Sequence, residues 1–140
     1  YLYTIHAKAP DGSEGRLEMA VDGCAGVFML VELAGELDEG DPEEQVFAPL
    51  MTAEEAEAAG RDQLTWALMR RRGRRDKPEP LETLNCQLFY YPFWTYYYER
   101  LPGAIDIALL DAAAGDKVGP KMKTAVLEAF AAERARKQSE

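Results

Sequence analysis

Histidine and cysteine are scarce in this chain of 140 residues: His6 stands alone, and Cys24 and Cys86 lie far apart with no CxxC pattern. A zinc site of the usual Cys/His kind takes four ligands, and only these three residues could supply them, so no structural zinc is expected. Two buried free thiols in a reducing compartment are expected in preference to a single disulfide. Also missing are an apolar run approaching the roughly 18 residues of a membrane-spanning helix and a charged-then-apolar leader. The chain opens on Tyr1 instead of Met, which reads as a processed or excised piece of something longer, a soluble domain with a cytoplasmic setting favoured. No nucleophile–base pair, phosphate loop or metal set is identifiable, so no catalytic residue, cofactor or metal is assigned.

Positive charge is short as well. The net charge is −9, and it is unevenly spread: residues 1–60 hold 2 basic against 14 acidic residues, residues 61–80 hold 7 against 3, and residues 81–140 hold 7 against 8. Attraction to phosphate depends on positive surface, so this balance opposes a nucleic-acid role. The local exception is Arg70, Arg71, Arg72, Arg74, Arg75 and Lys77, a candidate anion surface for phosphate, nucleic acid or an acidic partner. The plainer reading, which we favour, is that the arginines complement the negative C-terminal end of a helix. The acidic run over residues 35–44 lacks the ligand spacing of a calcium-binding loop and reads as a solvated loop.

What remains is ordinary globular material, enough for one domain with its own core. Tyr3, Ile5 and Ala7 alternate with Thr4, His6 and Lys8, a strand that places His6 on the more polar face. Residues 10–13 form a turn. Leu17, Met19 and Val21 then alternate with Glu18, Ala20 and Asp22, the pattern of a half-solvated antiparallel strand. Residues 27–33 are more uniformly apolar, which predicts a central strand and completes a three-stranded meander.

Thr52-Ala53-Glu54-Glu55 is a capping box. It opens a helix expected to reach about Arg72 and to stop at Gly73. Ala56, Ala59, Gly60, Leu64, Ala67 and Leu68 form its apolar stripe, with Trp66 and Met69 extending the buried side. The small residues at the start of that stripe let the helix lie close to a sheet. A basic and proline-bearing linker follows near residues 73–80.

The densest stretch is residues 88–98, Leu-Phe-Tyr-Tyr-Pro-Phe-Trp-Thr-Tyr-Tyr-Tyr, in which nine of eleven residues are aromatic or proline. It belongs to a long β-rich segment, residues 84–100, bulged at Pro92 or lying on an edge because proline donates no ladder hydrogen bond. Leu88, Tyr90, Trp94, Tyr96 and Tyr98 project one way if no bulge intervenes, and Phe89, Tyr91, Phe93 and Tyr97 the other. Both faces therefore need cover, and helices of this chain account for one. Tyrosine and tryptophan suit interfaces that are part wet. Tyr90, Tyr91, Trp94, Tyr96 and Tyr98 are accordingly the candidate partner or ligand surface. Pro102-Gly103 has the composition of a type II turn leading into a return strand over residues 105–111. Pro120 then opens a second helix with Met122, Val126, Ala129 and Phe130 on its apolar stripe, and a charged tail near residues 134–140 is expected to fray.

Met51-Thr52-Ala53-Glu54-Glu55-Ala56 at a helix start, Tyr96-Tyr97-Tyr98-Glu99, and Asp111-Ala112-Ala113-Ala114-Gly115-Asp116-Lys117-Val118 at a hairpin end together resemble a PepSY-type unit over roughly residues 51–118. Ala114 stands where that family usually has Thr. The resemblance implies a small non-catalytic module of the kind found beside peptidases or in envelope proteins, and it carries no site residues across.

The expected architecture is α+β, in the order β-β-β-α-β-β-α. It has a mainly antiparallel sheet of about five strands, with both helices packed on one face. The expected function is a non-enzymatic binding or assembly module, homodimeric or bound to a protein partner through a sheet face or edge. The alternative is a nucleic-acid or phosphate-ligand binder combining Arg70 to Lys77 with Tyr90, Trp94 and Tyr96. A third arrangement, a small enzyme using Asp106 and Asp111 beside tyrosines, ranks last, since carboxylates commonly flank hairpins.

Overall fold

The computed structural model describes residues 1–33, 35–42, 46–70 and 77–140. Its elements are β1 (Leu2–Lys8), β2 (Glu14–Val21), β3 (Phe28–Val31), α1 (Ala53–Arg70), β4 (Glu79–Gln87), β5 (Phe93–Leu101), β6 (Ala104–Asp111) and α2 (Pro120–Ser139). The class is α+β with antiparallel sheets, as expected. The strands are divided between a four-stranded sheet of order β3-β2-β1-β4 and a two-stranded sheet of β5 and β6. No helix among the described residues is long and apolar enough to cross a membrane.

The split of the aromatic segment is what turns one expected sheet into two. Residues 88–92 belong to no strand. Pro92 offers no N–H, and its carbonyl accepts from Ala112 N at 3.1 Å, which ties the segment to the end of β6. A residue that cannot donate interrupts a ladder unless it lies on an edge or at a bulge, and here the segment leaves the first sheet. Upstream, β4 runs antiparallel to β1 from Lys8↔Glu79 to Leu2↔Gln87. It begins one residue before Pro80, within the stretch expected to be a linker. Proline is tolerated there because β4 is an edge strand. β3 is the opposite edge, not the central strand its apolar run suggested.

The core lies between α1 and the four-stranded sheet. Tyr3, Ile5, Met19, Val21, Ala56, Leu64 and Leu68 form it, with Phe28, Leu30 and Met51 packed around. The alternation of β1 and β2 delivers Tyr3, Ile5, Met19 and Val21 to one face, where the small residues Ala56 and Gly60 of α1 meet them. At Gly60 the approach is close enough that a Cβ would sit 2.6 Å from Val21 Cγ2. The capping box is formed: Thr52 N donates to Glu55 Oε2 at 2.8 Å, and Glu55 N donates to Thr52 Oγ1 at 3.2 Å. Such a cap stabilises a helix start by about 1 kcal/mol. Trp66 and Met69 do not extend the buried side. They are 61% and 55% exposed, since the buried line of the helix is confined to Ala56, Gly60, Leu64 and Leu68.

The two helices do not share a face. α1 packs on β2 and β3, whereas α2 packs on β6 through Ala125 and Ala129, with Ile107 and Leu109 buried on the strand side. The β5–β6 turn places Gly103 at φ 79°, the left-handed position that a type II turn requires after Pro102. The charged tail does not fray away from the helix. α2 continues to Ser139, held by ion pairs of Arg136 with Glu133 at 2.9 Å and with Glu140 at 3.2 Å. Spacings of three and four residues bring such charges together on one helical face.

Candidate functional site

Two surfaces emerge from this arrangement, one on each side of the β5–β6 hairpin. Strand pairing decides which residues face which. Trp94 lies opposite Leu110, Tyr96 opposite Ala108 and Tyr98 opposite Asp106, while Thr95 and Tyr97 lie opposite Leu109 and Ile107. Directly opposed residues share a face. Thr95 and Tyr97 therefore sit on the side facing α2, where Tyr97 meets Phe130 edge-on at 6.2 Å between ring centroids while remaining 62% exposed. Trp94, Tyr96 and Tyr98 share the outer side, on which no described helix or strand packs, although Trp94 also reaches the rim of the inner cleft. They are 61%, 54% and 45% exposed.

The inner side opens into a cleft of about 870 Å³ between the two sheets. Its floor is the face of the first sheet that α1 leaves bare, with Ala20, Met29 and Val31. Its opposite wall is Phe93 and Tyr97 of β5 with Met122, Val126 and Phe130 of α2. Phe89, Tyr90 and Tyr91 of the connecting segment and Phe47 from the loop before α1 close the ends. Phe47 packs on Phe130 with ring centroids 4.7 Å apart, and Tyr91 on Phe93 at 5.3 Å. The loop carrying Phe47 is pinned where Leu50 N and Met51 N donate to Gly23 O at 2.8 and 3.1 Å.

Among the described residues, the charged side chains bordering the cleft are Asp22, Asp111, Asp116 and Lys117, and Tyr1 adds its terminal ammonium, which donates to Val21 O at 2.8 Å. Asp22 accepts from Ala25 N at 2.7 Å and orders the β2–β3 turn. Asp111 accepts from Ala113 N and Ala114 N, both at 2.9 Å, and from the Tyr91 hydroxyl at 2.7 Å. Burial pushes the Asp111 carboxyl up, but those three donors outweigh it and leave it below the ordinary carboxylate value. Burial and the same Asp111 bond push the Tyr91 hydroxyl up to about 12. Both groups thus hold their ordinary charge states more firmly.

Asp106, on the hairpin, behaves similarly. The Lys123 ammonium at 2.8 Å, the Ile107 N–H and the Tyr98 hydroxyl lower its carboxyl to about 2. A folded-state value below the ordinary 3.8 means that the native state binds fewer protons than the unfolded one. Asp106 therefore contributes stability above about pH 4, which is lost as the pH falls toward 2. In Lys123→Met the Asp106 carboxyl is expected to titrate closer to its ordinary value, read by carboxyl-carbon NMR. Equal titration in both proteins would refute the assignment to Lys123.

The sequence candidates are thus divided by the fold. Tyr90 and Tyr91 belong to the cleft, Tyr96 and Tyr98 to the outer face, and Trp94 borders both. Of the anion candidates, Arg71, Arg72, Arg74 and Arg75 lie outside the described residues. Lys77 donates from Nζ to the Met69 carbonyl at 3.1 Å at the end of α1. Arg70 lies beside Trp66 and Lys121 in a shallow depression away from the aromatic strand. His6 stands between Glu82, 3.0 Å from Nδ1, and Glu14, 3.6 Å from Nε2, on the polar end of the first sheet. Both cysteines are free, but they are not buried as expected: Cys24 is half-buried and Cys86 is exposed on edge strand β4. Sequence reasoning did not identify Phe47, Met29 or Val31 as cleft residues. The uniformly apolar run over residues 27–33 carried that signal, since a strand apolar on both faces needs cover on both.

No family model, curated protein or solved structure matches this chain.

Proposed function

We propose that the chain is a non-enzymatic binding and assembly module that pairs with a second copy of itself through the outer face of the β5–β6 hairpin. The observation that carries this reading is the bare row of Trp94, Tyr96 and Tyr98. A two-stranded sheet is marginal unless both its strands and its faces find partners, and α2 supplies only one of those faces. Large amphipathic rings suit the centre of an interface, where truncation is most costly. A two-fold axis across the row would set each ring against its counterpart, which is how identical surfaces associate in closed dimers. Asp106 at this face is paired with Lys123, and the acidic excess lies in residues 1–60. Self-repulsion is therefore reduced here.

The polar groups of the cleft support a binding role over a catalytic one. Of the cleft carboxylates, Asp22 and Asp111 are committed to turns, and Asp116 has no acid–base partner among the described residues. The shifted carboxyl of Asp111 lies on the acidic side, away from the near-neutral values that proton transfer favours. The PepSY-like reading of roughly residues 51–118 belongs to the same non-catalytic class. In this chain α1 lies on β2 and β3, and the hairpin takes its cover from α2. A phosphate or nucleic-acid role has less support, because Arg70 and Lys77 lie apart from the aromatic strand.

Sedimentation equilibrium tests the assembly. The wild type is expected to dimerise, and Trp94→Ser with Tyr96→Ser to weaken the dimer by roughly 30-fold or more for each central anchor lost. A wild-type chain that stays monomeric at high micromolar concentration overturns the proposal, as does a dimer unmoved by the double substitution.

A further inference from the structure

We infer that the cleft between the two sheets is a binding site for an organic cation with an apolar or aromatic body, such as an alkylammonium or arylammonium compound. It lies on the α2 side of the hairpin and shares Trp94, but neither Tyr96 nor Tyr98, with the outer face, so self-association there would leave the cleft open. Three observations converge. The volume of about 870 Å³ is within the range that accepts small molecules. The lining is predominantly apolar and includes the rings of Phe47, Tyr90, Tyr91, Phe93, Tyr97 and Phe130. Ring faces attract cations through their quadrupole, more strongly where water is thinned out.

The third observation is charge. Among the described residues, Asp22, Asp111 and Asp116 border the cleft against Lys117 and Tyr1, whose terminal ammonium donates to the Val21 carbonyl at 2.8 Å. Asp22 and Asp111 each accept backbone N–H bonds within their turns. Asp116 makes no side-chain hydrogen bond or ion pair among the described residues, so its carboxylate is available to a ligand. Glu36 also acts on the Tyr91 hydroxyl. A neutral ligand would gain only the apolar walls, and an anion would meet this field unfavourably. A cation gains from both the rings and the carboxylates.

The experiment uses three probes with similar bodies: phenylpropyl-trimethylammonium, neutral phenylbutanol and anionic phenylbutyrate. Binding is followed by NMR of methyl-labelled methionines. Met29 and Met122 report from the cleft, whereas Met19 in the α1 core and exposed Met69 serve as controls. The cation is expected to shift Met29 and Met122 alone and to bind about tenfold more tightly than the alcohol, with phenylbutyrate weakest. Asp116→Asn should lower the affinity for the cation and leave that for the alcohol unchanged. Equal affinity for all three probes would overturn the cation inference while leaving an apolar site. Absence of any Met29 or Met122 shift at millimolar probe would overturn the site itself. Neither result bears on dimerisation, which sedimentation reads separately.

Discussion

Replacing Gly60 by leucine is expected to cost about 3 kcal/mol or more of folding stability, enough to unfold much of a marginally stable domain. Gly60 is buried in α1 at the point where the helix touches β2. A Cβ there would stand 2.6 Å from Val21 Cγ2, 3.1 Å from Met19 Cε and 3.2 Å from Met19 Sδ. The methionine end can swing aside, but Val21 is branched at Cβ and held in the central sheet, so relief requires the helix to lift. Lifting α1 would separate Ala56, Leu64 and Leu68 from the sheet together. Alanine at the same position sets a gain of about 1 kcal/mol in helix propensity against the Val21 clash, and a small net change is expected. The clash itself is isolated by Val21→Ala, which should recover part of the loss in Gly60→Leu. Urea unfolding of the four proteins measures the coupling. A Gly60→Leu chain within about 0.5 kcal/mol of wild type would show that α1 is not fixed at this contact.

Tyr3→Ala is expected to lose about 3–5 kcal/mol, whereas Tyr3→Phe should lose only about 1 kcal/mol. Tyr3 is fully buried, its ring packed in the core of the first sheet and its hydroxyl donating to the Ala53 carbonyl at the start of α1. Alanine removes the ring and leaves a cavity; phenylalanine removes one hydrogen bond and keeps the packing. The hydroxyl also gives the pair a pH signature. Burial, with the neighbouring Cys86 and Glu57 charges, raises its pKa well above the ordinary value near 10. The folded state thus holds the phenolic proton more tightly than the unfolded one. The stability from this group is complete below about pH 10 and declines as the pH rises beyond it. Tyr3→Phe should flatten that alkaline decline, and an identical pH profile in both proteins would refute the assignment.

The α1 core was legible because its signals are local and periodic. The alternation of Tyr3, Ile5, Met19 and Val21 and the spacing of Ala56, Gly60, Leu64 and Leu68 each report one face of one element, and the Thr52–Glu55 cap marks where the helix starts. The class of the fold follows from such patterns. The division into two sheets does not, because Pro92 announces an interruption without saying whether the strand bulges, bends or leaves the sheet. That ambiguity passed directly to the site: an unbroken strand would have kept Tyr90 on the face of Tyr96 and Tyr98, whereas the fold sends it to the cleft. Trp66 illustrates the converse limit. A large apolar residue beside a helical stripe is buried only if the opposing sheet is wide enough to reach it, and sheet width is not written in the helix.

The placement of β4 has a further consequence, for the order in which the molecule can assemble. β5, β6 and α2 follow one another through short turns, so that region closes only small loops. β1, β2 and β3 form a meander with the same economy of reach. The remaining ladder is different, because Leu2 must find Gln87 and Lys8 must find Glu79 after α1 and its flanking segments have been ordered or carried along. Closing so long a loop costs entropy before any contact repays it, and non-local pairing of this kind slows folding. The β1–β4 seam is therefore the step expected to set the folding rate, and substitutions along it, at Thr83 or Leu81, should alter the rate more than those in the hairpin.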